Sequence, residues 1–146
     1  MRTTGTNQQD TLKLTEEELA RARYVSDTVL YERARKFVQT TPAVENKQLN
    51  GALEFSRSLR DLMLFVVNQK NRRWTEKEAH MREYYDALYD ALMRIVRDTR
   101  DIWGFVPRGL PEEEAQQRTA VFADMLARDF IQYMTAEMMY VRRQTR

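Results

Sequence analysis

The chain has 146 residues, 24 of them Lys or Arg against 22 Asp or Glu, with 42% hydrophobic side chains and no cysteine. That length bounds one domain able to bury about two-thirds of its unfolded surface, the balance of apolar and charged residues excludes a disordered chain, and the missing thiols exclude a disulfide framework, a thiol nucleophile and a thiolate metal site. No apolar run reaches the roughly 18 to 20 residues of a membrane span, and the opening MRTTGTNQQDTLKL lacks the apolar centre of a signal peptide, so no membrane association and a cytoplasmic location are expected.

Residues 1–14 read as a flexible segment and residues 15–146 as a single helical domain. Only 4 Gly and 3 Pro occur, strand-like alternation is missing, and apolar side chains recur at three- and four-residue spacing. Thr15 and Glu18 form a capping box, with Glu16 and Glu17 adding negative charge at a helix N-terminus. The spacing predicts helix one from Glu16 to Gln39, burying Leu19, Ala22, Ser26, Val29, Leu30 and Phe37 and stopping ahead of Pro42.

Helix two is predicted from Asn46 to Gln69. Its apolar residues cover more than half of the helical wheel, which marks a central helix packed on several sides. After the connection NRRWT, Thr75 and Glu78 make a second capping box. Helix three then runs from Glu76 to Trp103, burying Tyr84, Tyr85, Leu88, Tyr89, Leu92, Ile95, Val96, Ile102 and Trp103, and Gly104 ends it. Pro111 opens helix four, with Glu112, Glu113 and Glu114 in its first turn. Four long amphipathic helices with short connections predict an all-α fold, a compact bundle with antiparallel neighbours. Room remains for one extra short helix in residues 1–14 or 104–110.

A bundle rich in carboxylates invites a di-iron site, but that site needs a Glu-x-x-His motif on each of two helices. The one histidine, His80, has Lys77 three positions before it, and Glu76 one turn away reads as a surface pair. There is no glycine-rich phosphate loop and no Ser or Lys beside a plausible base. No cofactor, no metal and no catalysis are expected.

The basic residues carry the remaining information. There are 19 Arg and 5 Lys, and guanidinium suits bidentate contact with phosphate, although arginine-favouring codon usage accounts for the same bias. A net charge of +2 is far from the footprint of a dedicated nucleic-acid binder, so such a role must rest on local patches. On helix three, Asp90 with Arg94, Arg94 with Asp98, and Arg97 with Asp101 stand four apart and read as ion pairs on a solvated face. In contrast, Lys70, Arg72 and Arg73 have no acid between Asp61 and Thr75. Trp74 beside them is placed either to stack on a base or to staple the start of helix three.

A second unpaired group lies on helix four, where Arg128, Arg142 and Arg146 share a face with Gln132, Thr135 and Met139. Asp124 can reach Arg128, and about 21 Å of helix separates Arg128 from Arg142. The face is either a track for phosphates or plain solvated surface. Glu137 falls inside the apolar stripe between Tyr133 and Tyr140, where a carboxylate must be paired or reach the surface. Arg60 is one candidate partner, and an interface with another chain, with Met139 in it, is the alternative.

Two stretches carry a family likeness. KQLNGALEFSRSLRDLMLF (Lys47 to Phe65) and DFIQYMTAEMMYVRRQ (Asp129 to Gln144) resemble the central and last helices of the small subunits of class 1 CRISPR effector complexes, of the Cascade and Csm/Cmr kinds. Together they cover about a quarter of the chain. The resemblance implies a non-catalytic subunit of an RNA-guided ribonucleoprotein. Copies of it would stack along the crRNA-bound backbone, contact the large and backbone subunits, and steady target or displaced DNA or RNA strands through their phosphates while base pairing supplies specificity. It also implies that such a chain can arise by internal translation of a large subunit. Lys70, Arg72, Arg73, Arg128, Arg142 and Arg146 are then the leading contacts. A helical adaptor or scaffold that binds only protein through its Met-rich fourth helix is the competing reading.

Overall fold

Thr15 does at the start of the first helix what its spacing to Glu18 predicts. Its hydroxyl accepts from the Glu18 amide at 3.0 Å and the Glu18 carboxylate accepts from the Thr15 amide at 3.0 Å, satisfying donors that a helix start leaves open. The structure, a computed structural model, describes residues 13–41 and 58–144, with side chains up to Val141. Helix α1 spans Glu16–Val25 and α2 spans Tyr31–Thr40, and between them Ser26–Leu30 form a π-helical turn in which the Tyr31 amide donates to the Ser26 carbonyl. A π turn inserts extra backbone into the helix and shifts the register of everything after it. Ser26 and Leu30, four apart and on one face, are both in the core as the helical spacing predicts.

Helix α3 spans Leu59–Lys70. It does not continue unbroken from Asn46. Ser58 is extended (φ −150°, ψ 167°) and its hydroxyl accepts from the Asp61 amide, so a cap stands where the sequence reading carries a helix through. The apolar residues expected ahead of Ser58, from Leu49 to Phe55, lie outside the described residues. Helix α4 spans Ala79–Asp101 after a 3₁₀ turn at Glu76–Glu78, and α5 spans Glu112–Gln144. Gly104, at φ +80°, ends the α4 region in the left-handed conformation that a side chain would oppose. No strand occurs among the described residues, and residues 104–110 form turns without an extra helix.

The chain directions differ from a simple up-and-down bundle. α3 and α4 are antiparallel, with Lys70 beside Asp86, Phe65 on Tyr85, and Leu59 and Met63 level with Val96 and Arg100. α4 and α5 are antiparallel as well, joined near their connection by Arg100 and Glu112 at 2.7 Å. The first and last helices instead run in the same sense. Glu18 with Arg118, Ser26 with Asp129, Tyr31 with Tyr133 and Arg35 with Glu137 rise together along both. α3 therefore runs in the same sense as α2 and not as its hairpin partner, with 18 residues of chain between Thr40 and Leu59.

Leu30, Leu62, Val66, Leu88, Leu92, Ile95, Leu126, Phe130, Ile131 and Met134 fill the centre, and Phe105 from the α4–α5 connection stacks on Phe122 at 4.5 Å. Leu19 and Ile102, predicted in the core, are outside, and Leu64 is exposed on α3, the helix expected to be packed on several sides. Leu19 is exposed because polar ties hold α1 at this end, Glu18 to Arg118 and Arg21 to the Gly104 carbonyl. Ile102 is exposed because it caps α4 and has left the helical wheel.

Candidate nucleic-acid interface

The α3–α4 turn is short and stiff. Asn71 closes α3 with amide bonds back to Gln69 and Val67, and the Trp74 indole N–H donates to the Gln69 carbonyl at 2.7 Å. The Trp74 ring lies parallel to Tyr85 at 6.3 Å, and the Arg72 guanidinium sits over Trp74 at 4.8 Å. Arg72, Trp74 and Tyr85 therefore form a layered stack, in which cation–π attraction and ring contact each contribute about 0.5 to 1 kcal/mol. Trp74 is half-buried inside this stack, so the staple-like role fits it and base stacking does not. Tyr85 is buried, and burial pushes its phenol pKa up while Arg72 pulls it partway back.

Arg72 and Arg73 are exposed at this turn. Lys70 is more committed: its ammonium lies over the Tyr89 ring at 4.3 Å and 3.8 Å from Asp86. The turn and the end of α5 share one end of the molecule. Tyr84 and Phe130 both meet the ring of Phe37. From that level α4 runs back to Thr75, while α5 continues about 21 Å to Gln144. Burial along α5 stops at Met138, and Met139, Tyr140 and Val141 are exposed in succession. Consecutive positions sweep about 200° of the helix, so the end of α5 presents these side chains to solvent on more than one side.

The six arginine and lysine candidates thus separate. Lys70, Arg72 and Arg73 lie at the end where the backbone of Arg142 is found, and the Arg142 and Arg146 side chains lie outside the described residues. Arg128 stands apart, half-buried with its Nε 3.3 Å from Asp124 across one helical turn. Glu137 is half-buried beside Arg35 at 4.0 Å. The partner comes from α2 and not from Arg60, which sits at the start of α3 by the groove of Met63, Val96 and Asp124. Met139 is exposed near the end of α5.

Two polar clusters have no place in the sequence reading. At the π turn, Ser26 donates to Asp129 at 2.9 Å and Tyr133 donates to Asp27 at 3.0 Å, with the two hydroxyls 3.2 Å apart. Between α2 and α4, Asp98 is buried, its side chain only 9% exposed, and accepts from Arg33 at 2.6 Å. The Arg33 guanidinium also covers the Trp103 ring at 5.1 Å. Arg94 and Arg97 approach the same carboxylate at 3.8 and 3.6 Å. The expected solvated face is therefore wrong for Asp98, which is a buried hub between helices. Heptad spacing was the available signal, since Asp98 follows Tyr84 and Ala91 at seven-residue intervals on the packed side of α4.

Among the described residues no group of three or more His, Cys, Asp or Glu is placed to hold a metal ion, and no helix is long and apolar enough to cross a membrane. No protein-family model matches the chain, and comparison with curated proteins and with solved structures gives no match.

Proposed function

We propose that the chain is a non-catalytic subunit of an RNA-guided ribonucleoprotein, of the kind its sequence resembles among class 1 CRISPR effectors, and that it steadies nucleic-acid strands through their phosphates. The supporting observation is the α3–α4 turn. It holds two exposed guanidiniums, Arg72 and Arg73, on a backbone fixed by Trp74, and a pre-positioned guanidinium loses little freedom on binding phosphate. The antiparallel packing of α4 and α5 brings the end of α5, with the backbone of Arg142, to the same end. A nucleic-acid strand crossing that end would meet phosphate donors without any base-reading element, which suits a partner whose specificity comes from base pairing.

The test is single-stranded DNA and RNA binding by fluorescence anisotropy across a salt series, with wild type and an Arg72→Gln/Arg73→Gln variant. The proposal expects affinity that falls with salt and a shallower salt slope in the variant. Equal slopes, or no binding at low salt either alone or in the assembled complex, would remove it. A CRISPR array beside the gene would bear on the class of complex.

A second reading has its own observation. Met139, Tyr140 and Val141 form an exposed apolar group near the end of α5, and a protein-only adaptor would use it as an interface. Met139→Ser/Tyr140→Ser disrupts assembly and spares nucleic-acid binding under that reading.

A further inference from the structure

The geometry points to an anion site on the outer side of α4, built on Arg94 and Arg97 and selective for a phosphomonoester dianion. It stands apart from the α3–α4 turn and does not rest on the role assigned to that turn.

The argument starts from how the Asp98 carboxylate is shared. Arg33 makes the one true hydrogen bond, at 2.6 Å. The contacts from Arg94 and Arg97, at 3.8 and 3.6 Å, exceed the 2.7 to 3.2 Å range of an N–H···O bond. Their guanidinium donors are attracted to Asp98 yet not consumed by it. Both side chains remain open to solvent, 57% and 66% exposed, while Arg33 beneath them is 19% exposed. Arg33 is itself fixed, with Trp103 on its face and its Nη1 buried without an acceptor.

Three guanidiniums share the single Asp98 carboxylate, so the donors in contact with it outnumber its acceptor oxygens. Asp90 and Asp101 lie one turn to either side on exposed helix, and neither forms an ion pair with Arg94 or Arg97 among the described residues. They moderate the local potential without occupying the donors. A phosphomonoester carries about −1.5 to −2 charges and three acceptor oxygens, enough to accept from both guanidiniums at once. A carboxylate brings one charge and two acceptor oxygens, and chloride no directional acceptor, so each engages the pair less completely. Positions 94 and 97 are three apart, hence neighbours on the helix surface, so one tetrahedral anion can accept from both. The Arg33–Asp98 pair below supplies a rigid floor. The ligand class is a terminal phosphate, carried either by free phosphate or by the phosphorylated end of a nucleic-acid strand.

The test is titration of inorganic phosphate into the full chain at slightly alkaline pH and an ionic strength of about 0.01 M, where screening extends only beyond about 30 Å. Arginine Nε–H and backbone resonances are followed by NMR. The site requires saturable shifts at Arg94 and Arg97, binding weakened about tenfold or more in Arg94→Gln/Arg97→Gln, and unchanged binding in Arg72→Gln/Arg73→Gln. Both mutated side chains are exposed, so the fold is kept, and Arg97→Gln alone gives a milder second variant that should weaken binding in part. Acetate shifting the same resonances at the same concentrations, or the double variant binding phosphate like wild type, overturns the site, as does the absence of saturable shifts. A second arm compares 5′-phosphorylated with 5′-hydroxyl oligonucleotides. A preference for the phosphorylated end that disappears in the Arg94/Arg97 variant assigns the ligand to strand ends, and equal binding of the two beside genuine phosphate binding assigns it to free phosphate.

Discussion

The α2–α4 seam and the α3–α4 turn both gather arginines around an aromatic ring, and they use them in opposite ways. At the seam, Arg33 lies on Trp103 and is consumed by Asp98, so its charge is part of the interior. At the turn, Arg72 lies on Trp74 with no carboxylate paired to it among the described residues, so its charge faces solvent while the ring stack holds it in place. An arginine–aromatic contact by itself therefore says little about role. The presence or absence of a buried acid beside it decides whether the guanidinium stabilises the fold or remains available to a ligand.

The largest effect expected from breaking this contrast is at Asp98. Asp98→Ala leaves the buried Arg33 guanidinium uncompensated and should cost about 3 to 5 kcal/mol, read as a lower urea midpoint at constant m-value. Loss below about 1 kcal/mol would show that water or a neighbouring group already serves Arg33. Trp74→Ala comes next, at about 2 kcal/mol for a half-buried indole, with a fall in nucleic-acid affinity because Arg72 loses its platform. Trp74→Phe should keep most of that affinity.

Arg72→Gln/Arg73→Gln should change stability by no more than about 0.5 kcal/mol and lower the salt slope of nucleic-acid binding by about 2. Stability loss there would move the turn into the same class as the seam. The smallest effect concerns a third arginine, Arg118, which together with the Thr15 amide binds Glu18. The Thr15 backbone bond first, and then Arg118, hold the Glu18 carboxyl below its ordinary value of 4.5. A carboxyl with a lowered folded pKa contributes stability that is present above its unfolded pKa and is lost as pH falls through the folded one. Glu18→Gln should thus flatten the acid limb of the stability profile below about pH 4.5, measured by thermal unfolding, and leave its neutral plateau nearly unchanged in shape.

Much of the fold is local in origin and could be read directly. Thr15–Glu18 and Thr75–Glu78 place two helix starts because a capping box needs only residues three apart. Gly104 and Pro111 bound the last connection because their backbone preferences are intrinsic. The start of α3 was missed although its cap is also local: Ser58 with the Asp61 amide was overridden by an apolar pattern that continues on both sides. The π turn at Ser26–Leu30 left no periodicity signal, since a five-residue widening is fixed by what Ser26 and Tyr133 find across the interface with α5.

The candidate site shows the same division. That Lys70, Arg72 and Arg73 lack an acid within a few residues was legible from spacing, and the exposure of Arg72 and Arg73 at a tight turn agrees with it. That Lys70 would turn to Asp86, and that Glu137 would find Arg35, was not legible, because each partner is on another helix. The sequence by itself determined helical class, most helix ends and which cations lack neighbours within one turn, since all of these depend on contacts within a few residues. Only the tertiary structure decided helix direction, the burial of Asp98 and the pairing of charges between helices. Those depend on which faces meet, and the same i to i+4 spacing serves a solvated ion pair and a buried one equally well.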